Sequence, residues 1–159
     1  MCVSEPSSEP TRESANEHVE RELTRLLRRA RVTLGSYAAK VHPEIDLAAY
    51  TLLLAVRDAA IERDGGAVRA ADLATRMRLH KSTLSRGLAQ LEAFGLIERQ
   101  PDPNDARARL VALSADGTAR MTEATAARRA RLSEVLDRWD DSDLETLARL
   151  LDRLNTDME

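Results

Sequence analysis

Residues 71–117 read ADLATRMRLHKSTLSRGLAQLEAFGLIERQPDPNDARARLVALSADG, and the fold turns on how this stretch divides. Two short helical patterns, about Ala71 to Met77 and Lys81 to Phe94, are separated by only a few residues. In the second, Leu84, Leu88, Leu91 and Phe94 recur at steps of three and four, which puts them on one buried stripe. Gly95 stops that helix, because glycine readily takes the left-handed conformation past a helix end. Leu96 to Arg99 and Arg109 to Leu113 then read as short strands. The segment PDPNDARA between them, residues 101–108, is rich in turn formers and reads as a hairpin loop. Two helices at a tight turn followed by a β-hairpin are the outline of a winged helix-turn-helix.

Working outward, residues 1–13 mix Ser, Glu and Pro and read as a disordered arm. From Ser14 a helical stripe runs through Val19, Leu23, Leu26, Ala30, Leu34, Tyr37 and Val41, and His42-Pro43 breaks it. A second helix is expected from about Pro43 to Arg63, around the apolar YTLLLAV, with Gly65-Gly66 ending it. After the hairpin, Ser114 looks like the cap of a long helix reaching about Arg138. A last helix is expected from Ser142, where Ser-Asp-Leu-Glu forms a capping box, with a seam of Leu144, Leu147, Leu151 and Leu154. The fold class is therefore mainly α with a small β-hairpin wing. A single domain over 14–159 divides into helices at 14–64, the winged module at 65–113 and helices at 114–159.

Composition removes whole classes of function. With 159 residues, one hydrophobic core fits comfortably and two full domains do not. Aromatics at 3% suit helices better than a sandwich or barrel. The longest unbroken apolar run, Leu52 to Val56, is far short of the ~20 residues of a membrane span. The start, MCVSEPSSEPTR, has neither the basic nor the apolar block of a secretion signal, so the cytoplasm is the expected location. One cysteine, Cys2, makes neither an internal disulfide nor a metal site. His18, His42 and His80 fall in separate elements without ligand spacing, and no nucleotide loop or nucleophile elbow occurs. No enzyme activity, metal or cofactor is expected.

Charge points elsewhere. Between Arg69 and Leu110 stand eight cations (Arg69, Arg76, Arg78, Lys81, Arg86, Arg99, Arg107, Arg109) and five anions, a local balance of +3. The chain as a whole carries -3, so the remainder carries -6. A basic module in an acidic frame is what phosphate neutralisation requires, although an Arg-rich helical surface is also compatible with simple solvation. On the Lys81–Phe94 helix, the face opposite the leucines carries Lys81, Ser82, Thr83, Ser85 and Arg86 near the N-terminus. Small hydroxyl residues let the helix approach a major groove closely, and Arg86 can reach a guanine edge or a phosphate. The competing readings are helix capping for Ser82 and Thr83 and a salt bridge to Glu92 or a neighbour for Arg86. Arg107 in the hairpin loop suits a narrow minor groove, with Asp105 holding its guanidinium; a loop closed by that ion pair alone is the alternative.

These residues resemble the MarR-type (multiple-antibiotic-resistance) bacterial transcription regulators. Asp105, Arg107, Leu113, Ser114 and Gly117 fall on that family's D-x-R and L-[ST]-x-x-G pattern, and STLSR followed by LEAFGLIER matches its recognition helix and next strand. About 50 residues carry specific motif content, and the flanking helices fit the family layout. The resemblance implies a homodimer whose first and last two helices interlock, with two recognition helices roughly 34 Å apart reading an inverted repeat in double-stranded DNA. It assigns Ser82, Thr83, Ser85 and Arg86 to the major groove and Arg107 to the minor groove, with Asp105 orienting Arg107. A repressor is the implied role. Two departures stand out: Arg78 occupies a position where the family usually has glycine, and His80 one where it has a small polar cap.

Members of the family often respond to small aromatic acids or hydrophobic compounds, and some sense peroxide through a cysteine in the first helix. This chain has no cysteine there, which disfavours thiol sensing. Tyr37, His42, Tyr50 and Arg57 are the candidates to line an effector cavity; core packing or dimer contact is the competing reading for each. Two other functions remain open from sequence: a winged-helix adaptor for proteins that has lost DNA binding, and a small-molecule carrier.

Overall fold

A computed structural model describes residues 11–62, 66–103 and 105–158, except for the side chains of 106 and 107. Six helices and three short strands follow one another as α1 (Arg12–Val41), α2 (Leu47–Ile61), β1 (Val68–Arg69), α3 (Ala70–Arg76), α4 (Lys81–Ala93), β2 (Ile97–Asp102), β3 (Asp105–Leu113), α5 (Ala115–Leu136) and α6 (Asp141–Asp157). The mainly helical class with a small wing is what the sequence pattern implies.

Local chemistry moves several boundaries. Helix α1 starts at Arg12 rather than Ser14, because the Thr11 hydroxyl accepts the Ser14 N–H at 3.3 Å. The rest of the expected arm, residues 1–10 with Cys2, lies outside the described residues. Helix α2 begins at Leu47 instead of Pro43, since the Asp46 carboxylate accepts the Ala49 N–H at 2.7 Å. At its far end, Gly65 lies outside the described residues, and the helix closes at Ile61. The cap of α6 is Asp140, not Ser142: its carboxylate accepts both the Asp143 N–H and the Ser142 hydroxyl at 2.9 Å. An aspartate at the mouth of a helix satisfies free N–H groups and complements the dipole.

The wing is longer and tighter than the composition of 101–108 implies. β2 and β3 run almost to the turn, and β1 adds a third strand, giving the antiparallel order β1-β3-β2. Pro101 is accommodated because β2 is an edge strand. Pro101 faces Arg109 while Asp102 faces Asp105, so residues 106–108 bulge out of register. Asp102 is buried there, and the Arg69 Nε donates to its carboxylate at 2.7 Å, tying the turn of the wing to β1.

The core gathers the C-terminal part of α1 (Tyr37, Ala38, Val41), several faces of α2 (Tyr50, Leu52, Leu53, Val56), Leu73, the α4 stripe Leu84, Leu88 and Leu91, and Met121 of α5. Gly87 lets α4 settle on α2, for a Cβ there would stand 2.8 Å from Leu52 Cδ2. Phe94, expected within the stripe, is only partly buried and stacks on His42 with ring centroids 3.9 Å apart.

Helices α3 and α4 end in the same backbone motif. After α4, Gly95 N–H donates to Glu92 O at 2.9 Å and Leu96 N–H to Leu91 O at 3.0 Å. After α3, Arg78 N–H donates to Thr75 O at 3.1 Å and Leu79 N–H to Ala74 O at 3.0 Å. Both are Schellman caps, which need a left-handed residue at their hinge. Gly95 takes it at φ 70° and Arg78 at φ 52°. A side chain in that conformation costs on the order of 1 kcal/mol, which glycine avoids.

Candidate nucleic-acid interface

Burial of Leu84, Leu88 and Leu91 fixes the rotation of α4 and leaves Lys81, Ser82, Thr83, Ser85 and Arg86 exposed together on its opposite side. The capping alternative for Ser82 and Thr83 is set aside, because the N-cap is His80 and no side chain caps the helix. Among the described residues, the three hydroxyls have no intramolecular hydrogen-bond partner. The first-turn N–H groups of α4 and its hydroxyl cluster therefore point to solvent with their hydrogen-bonding capacity unspent.

Ion pairing sorts the eight cations of the module. Arg69 is committed to Asp102, Arg76 to Glu62 at 2.6 Å, and Arg99 to Glu92 at 3.0 Å. The Arg99 pair is an attraction of charges rather than a hydrogen bond, since Arg99 Nε and Nη2 lack a bonded partner among the described residues. Glu92 pairs with Arg99, and the competing Arg86–Glu92 bridge is absent among the described residues. Arg78, Lys81, Arg86 and Arg109 are exposed and unpaired among the described residues. The sequence marked Arg78 only as a departure at the turn and Arg109 only as one cation of the module, because pairing is invisible there. Asp105 is exposed at the start of β3. The Arg107 side chain, and with it the Asp105–Arg107 pair, lies outside the described residues.

The four candidates for an effector cavity separate. Tyr37 and Tyr50 are in the core. Burial pushes the Tyr50 phenol up, with Arg128 and Arg57 pulling it back. His42 stacks on Phe94, and its Nδ1 accepts the Glu44 N–H at 3.2 Å. Arg57 alone of the four lines a cleft of about 850 Å³ between α2, β3 and α5. Its walls are apolar at Ile61, Leu113 and Met121, and Arg128 and Arg129 join Arg57 at the polar side. Arg57 is held in place by the Thr125 hydroxyl at 2.9 Å and by Asp58 at 2.7 Å. No cluster of metal-ligating side chains occurs among the described residues, and none of their helices is long and apolar enough to cross a membrane.

Residues 59–108, from the end of α2 to the first residues of β3, match the sequence model of the MarR family. The uncharacterized HTH-type transcriptional regulator YxaD of Bacillus subtilis (strain 168) is 33% identical over 139 residues, covering 87% of this chain and 92% of that protein. In fold, the chain is similar to Streptococcus pneumoniae FabT, solved in complex with DNA, with a TM-score of 0.75, 15% identity and coverage of 90% and 96% of the two chains. A MarR variant from E. coli complexed with operator DNA gives a TM-score of 0.62 at 24% identity, over 86% of this chain and 92% of that one. A relative this close along nearly the whole length, together with the helix, turn and wing described above, shows that the chain belongs to the MarR family of winged helix-turn-helix transcriptional regulators.

Proposed function

We propose that the chain is a homodimeric repressor that reads a pseudo-palindromic operator, with α4 in the major groove and Arg107 in the minor groove. The observation that carries this reading is the sorting of charge. Three cations of the module are spent on ion pairs, while Lys81 and Arg86 stand free beside three unpartnered hydroxyls at the start of α4. A solvated surface has no reason to concentrate unpaired donors on the one face that the fold leaves open. The DNA-bound state of two proteins of the same fold supports the direction of approach. Dimerisation rests on the apolar residues left exposed on α1, α5, α6 and the turn between the last two, among them Leu26, Leu27, Leu132, Val135, Trp139, Leu150 and Leu151.

Fluorescence-anisotropy titration against the DNA upstream of its own gene, beside a scrambled duplex, tests the reading. The upstream DNA should bind at least ~10³-fold more tightly than the scrambled one, and binding should fall steeply with salt. Arg86→Ala should cost about 1–3 kcal/mol if it reads a base, and Arg107→Ala should weaken binding as well. No binding to either duplex at low salt would overturn the proposal and favour the protein-adaptor reading.

The cleft supports regulation by a ligand. Apolar walls beside three arginines suit a small aromatic or hydrophobic acid, whose ring is buried while its carboxylate meets a guanidinium. Occupation of a site between α2, β3 and α5 bears directly on the angle between the wing and the long helix. In the same titration, benzoate and related aromatic carboxylates should lower operator affinity, and Arg128→Ala should abolish the response without changing affinity in their absence. Unchanged affinity across a panel of such acids would remove this part of the proposal.

A further inference from the structure

We propose that Arg78, at the hinge of the turn between α3 and α4, is an additional phosphate anchor for DNA. The inference rests on the DNA-binding reading above and adds a phosphate partner to it. Its basis is a comparison within the molecule. The same Schellman cap closes α3 and α4, with matching pairs of backbone hydrogen bonds. The cap of α4 uses Gly95, the residue the left-handed hinge favours, whereas the cap of α3 uses an arginine at φ 52°. Among the described residues, nothing inside the protein recovers that cost. Arg78 is exposed, and among the described residues no carboxylate pairs with its guanidinium. Its neighbours Met77 and Leu79 pack against the core, and Arg76 is held by Glu62, so Arg78 is the free cation of the turn among the described residues.

Its surroundings say what it meets. The turn leads directly into the exposed His80, Lys81, Ser82 and Thr83. A long guanidinium three residues before Lys81 extends the basic surface beyond the helix to where a backbone flanking the groove would run. A strained backbone retained at a functional surface is expected when the side chain it carries interacts outside the fold. The partner is a phosphate, so it adds affinity without adding sequence preference.

The decisive variant is Arg78→Gly, because the proposal predicts effects of opposite sign. Thermal melts of the full-length protein should rise by about 2–4 °C, as the left-handed position is relieved. Anisotropy titrations should use the upstream duplex and a random-sequence duplex of equal length, each over a series of salt concentrations. Affinity for both should fall about ten-fold alike, and the slope of log K against log salt should flatten by about 1–2, because each protomer then neutralises one phosphate fewer. Arg78→Asn, which also tolerates the left-handed region, should reproduce the weaker binding, and Arg78→Lys should keep most of the affinity. If Arg78→Gly melts below the wild type, Arg78→Asn decides by the same binding criteria. Unchanged affinity and salt slope in the deciding variant, with wild-type binding intact, would overturn the anchor and leave the regulator reading standing. Failure of the wild type to bind either duplex would overturn both.

Discussion

Gly117→Ala lowers the melting temperature by about 6–12 °C, corresponding to about 3 kcal/mol in a chain of this length. A Cβ at this position would stand 2.8 Å from the Leu96 carbonyl carbon and closer still to its oxygen. The obstacle is backbone, so no rotamer change relieves it. Leu96 O also accepts the Ser114 N–H at 3.1 Å, and the Ser114 hydroxyl bonds both Gly95 O and, at 2.9 Å, Gly117 N–H. The first turn of α5 is therefore bonded to the chain just after α4, and moving it away breaks the cap that starts the helix. Overpacking at a rigid site belongs at the upper end of the usual ~1–3 kcal/mol range. Gly35→Ala is the control: nothing lies within 4 Å of a Cβ there, and in mid-helix the change should stabilise by about 0.5–1 kcal/mol. Melts at one fixed protein concentration check both, since the proposed dimerisation would make the midpoint concentration-dependent. Equal melting of Gly117→Ala and wild type would show that the two segments do not touch.

That close approach also explains what the sequence could and could not disclose. The motif L-[ST]-x-x-G was legible at Leu113, Ser114 and Gly117, and its physical content is a serine cap with a glycine one turn later that admits a neighbouring carbonyl. Elements with a strong period, such as the leucine stripe of α4, were legible to within a residue. Where two caps competed, the boundary followed the aspartate: Asp46 and Asp140 start helices that Pro43 and Ser142 suggested. β1 has two residues and no period of its own; it exists because Val68 and Arg69 pair with Val111 and Leu110 far along the chain. The candidate DNA face was readable as an arrangement of residue types on a helix. Which arginines remain free to use was not, because the partners of Arg69 and Arg76, Asp102 and Glu62, are set by tertiary packing. The four effector candidates separate for the same reason: Arg57 lines the cleft, and His42 stacks on Phe94. Tyr37 and Tyr50 looked like pocket aromatics but fill the core, and the arginines that join Arg57 at the cleft arrive from α5, far along the chain.

On the proposed dimer, the double variant Leu147→Asp with Leu151→Asp should separate the protomers and weaken operator binding. Helix α6 buries none of its residues within its own chain, although Leu144, Leu147, Leu151 and Leu154 form one seam along it. Leu150 and Leu151 are 48% and 40% exposed. A 17-residue helix without tertiary support is marginal in water, so this one requires a surface that its own chain does not provide. The N-terminal two thirds of α1, the far end of α5 and the turn after it leave Val19, Leu26, Leu27, Leu132, Val135 and Trp139 in the same condition. All of these residues lie outside the winged module in the chain, as expected of a second copy that joins the long helices and leaves both α4 faces open. Two carboxylates placed in the seam would have to be buried without partners on each side of a two-fold interface, at several kcal/mol per protomer. Sedimentation should therefore show monomer at a protein concentration of ~10 μM, and each winged module would then bind its half-site alone, without the effective concentration that tethering supplies. Operator affinity should fall by ~10²-fold or more. A variant that still sediments as a dimer would place the interface elsewhere, and a monomer with undiminished affinity would show that one module suffices.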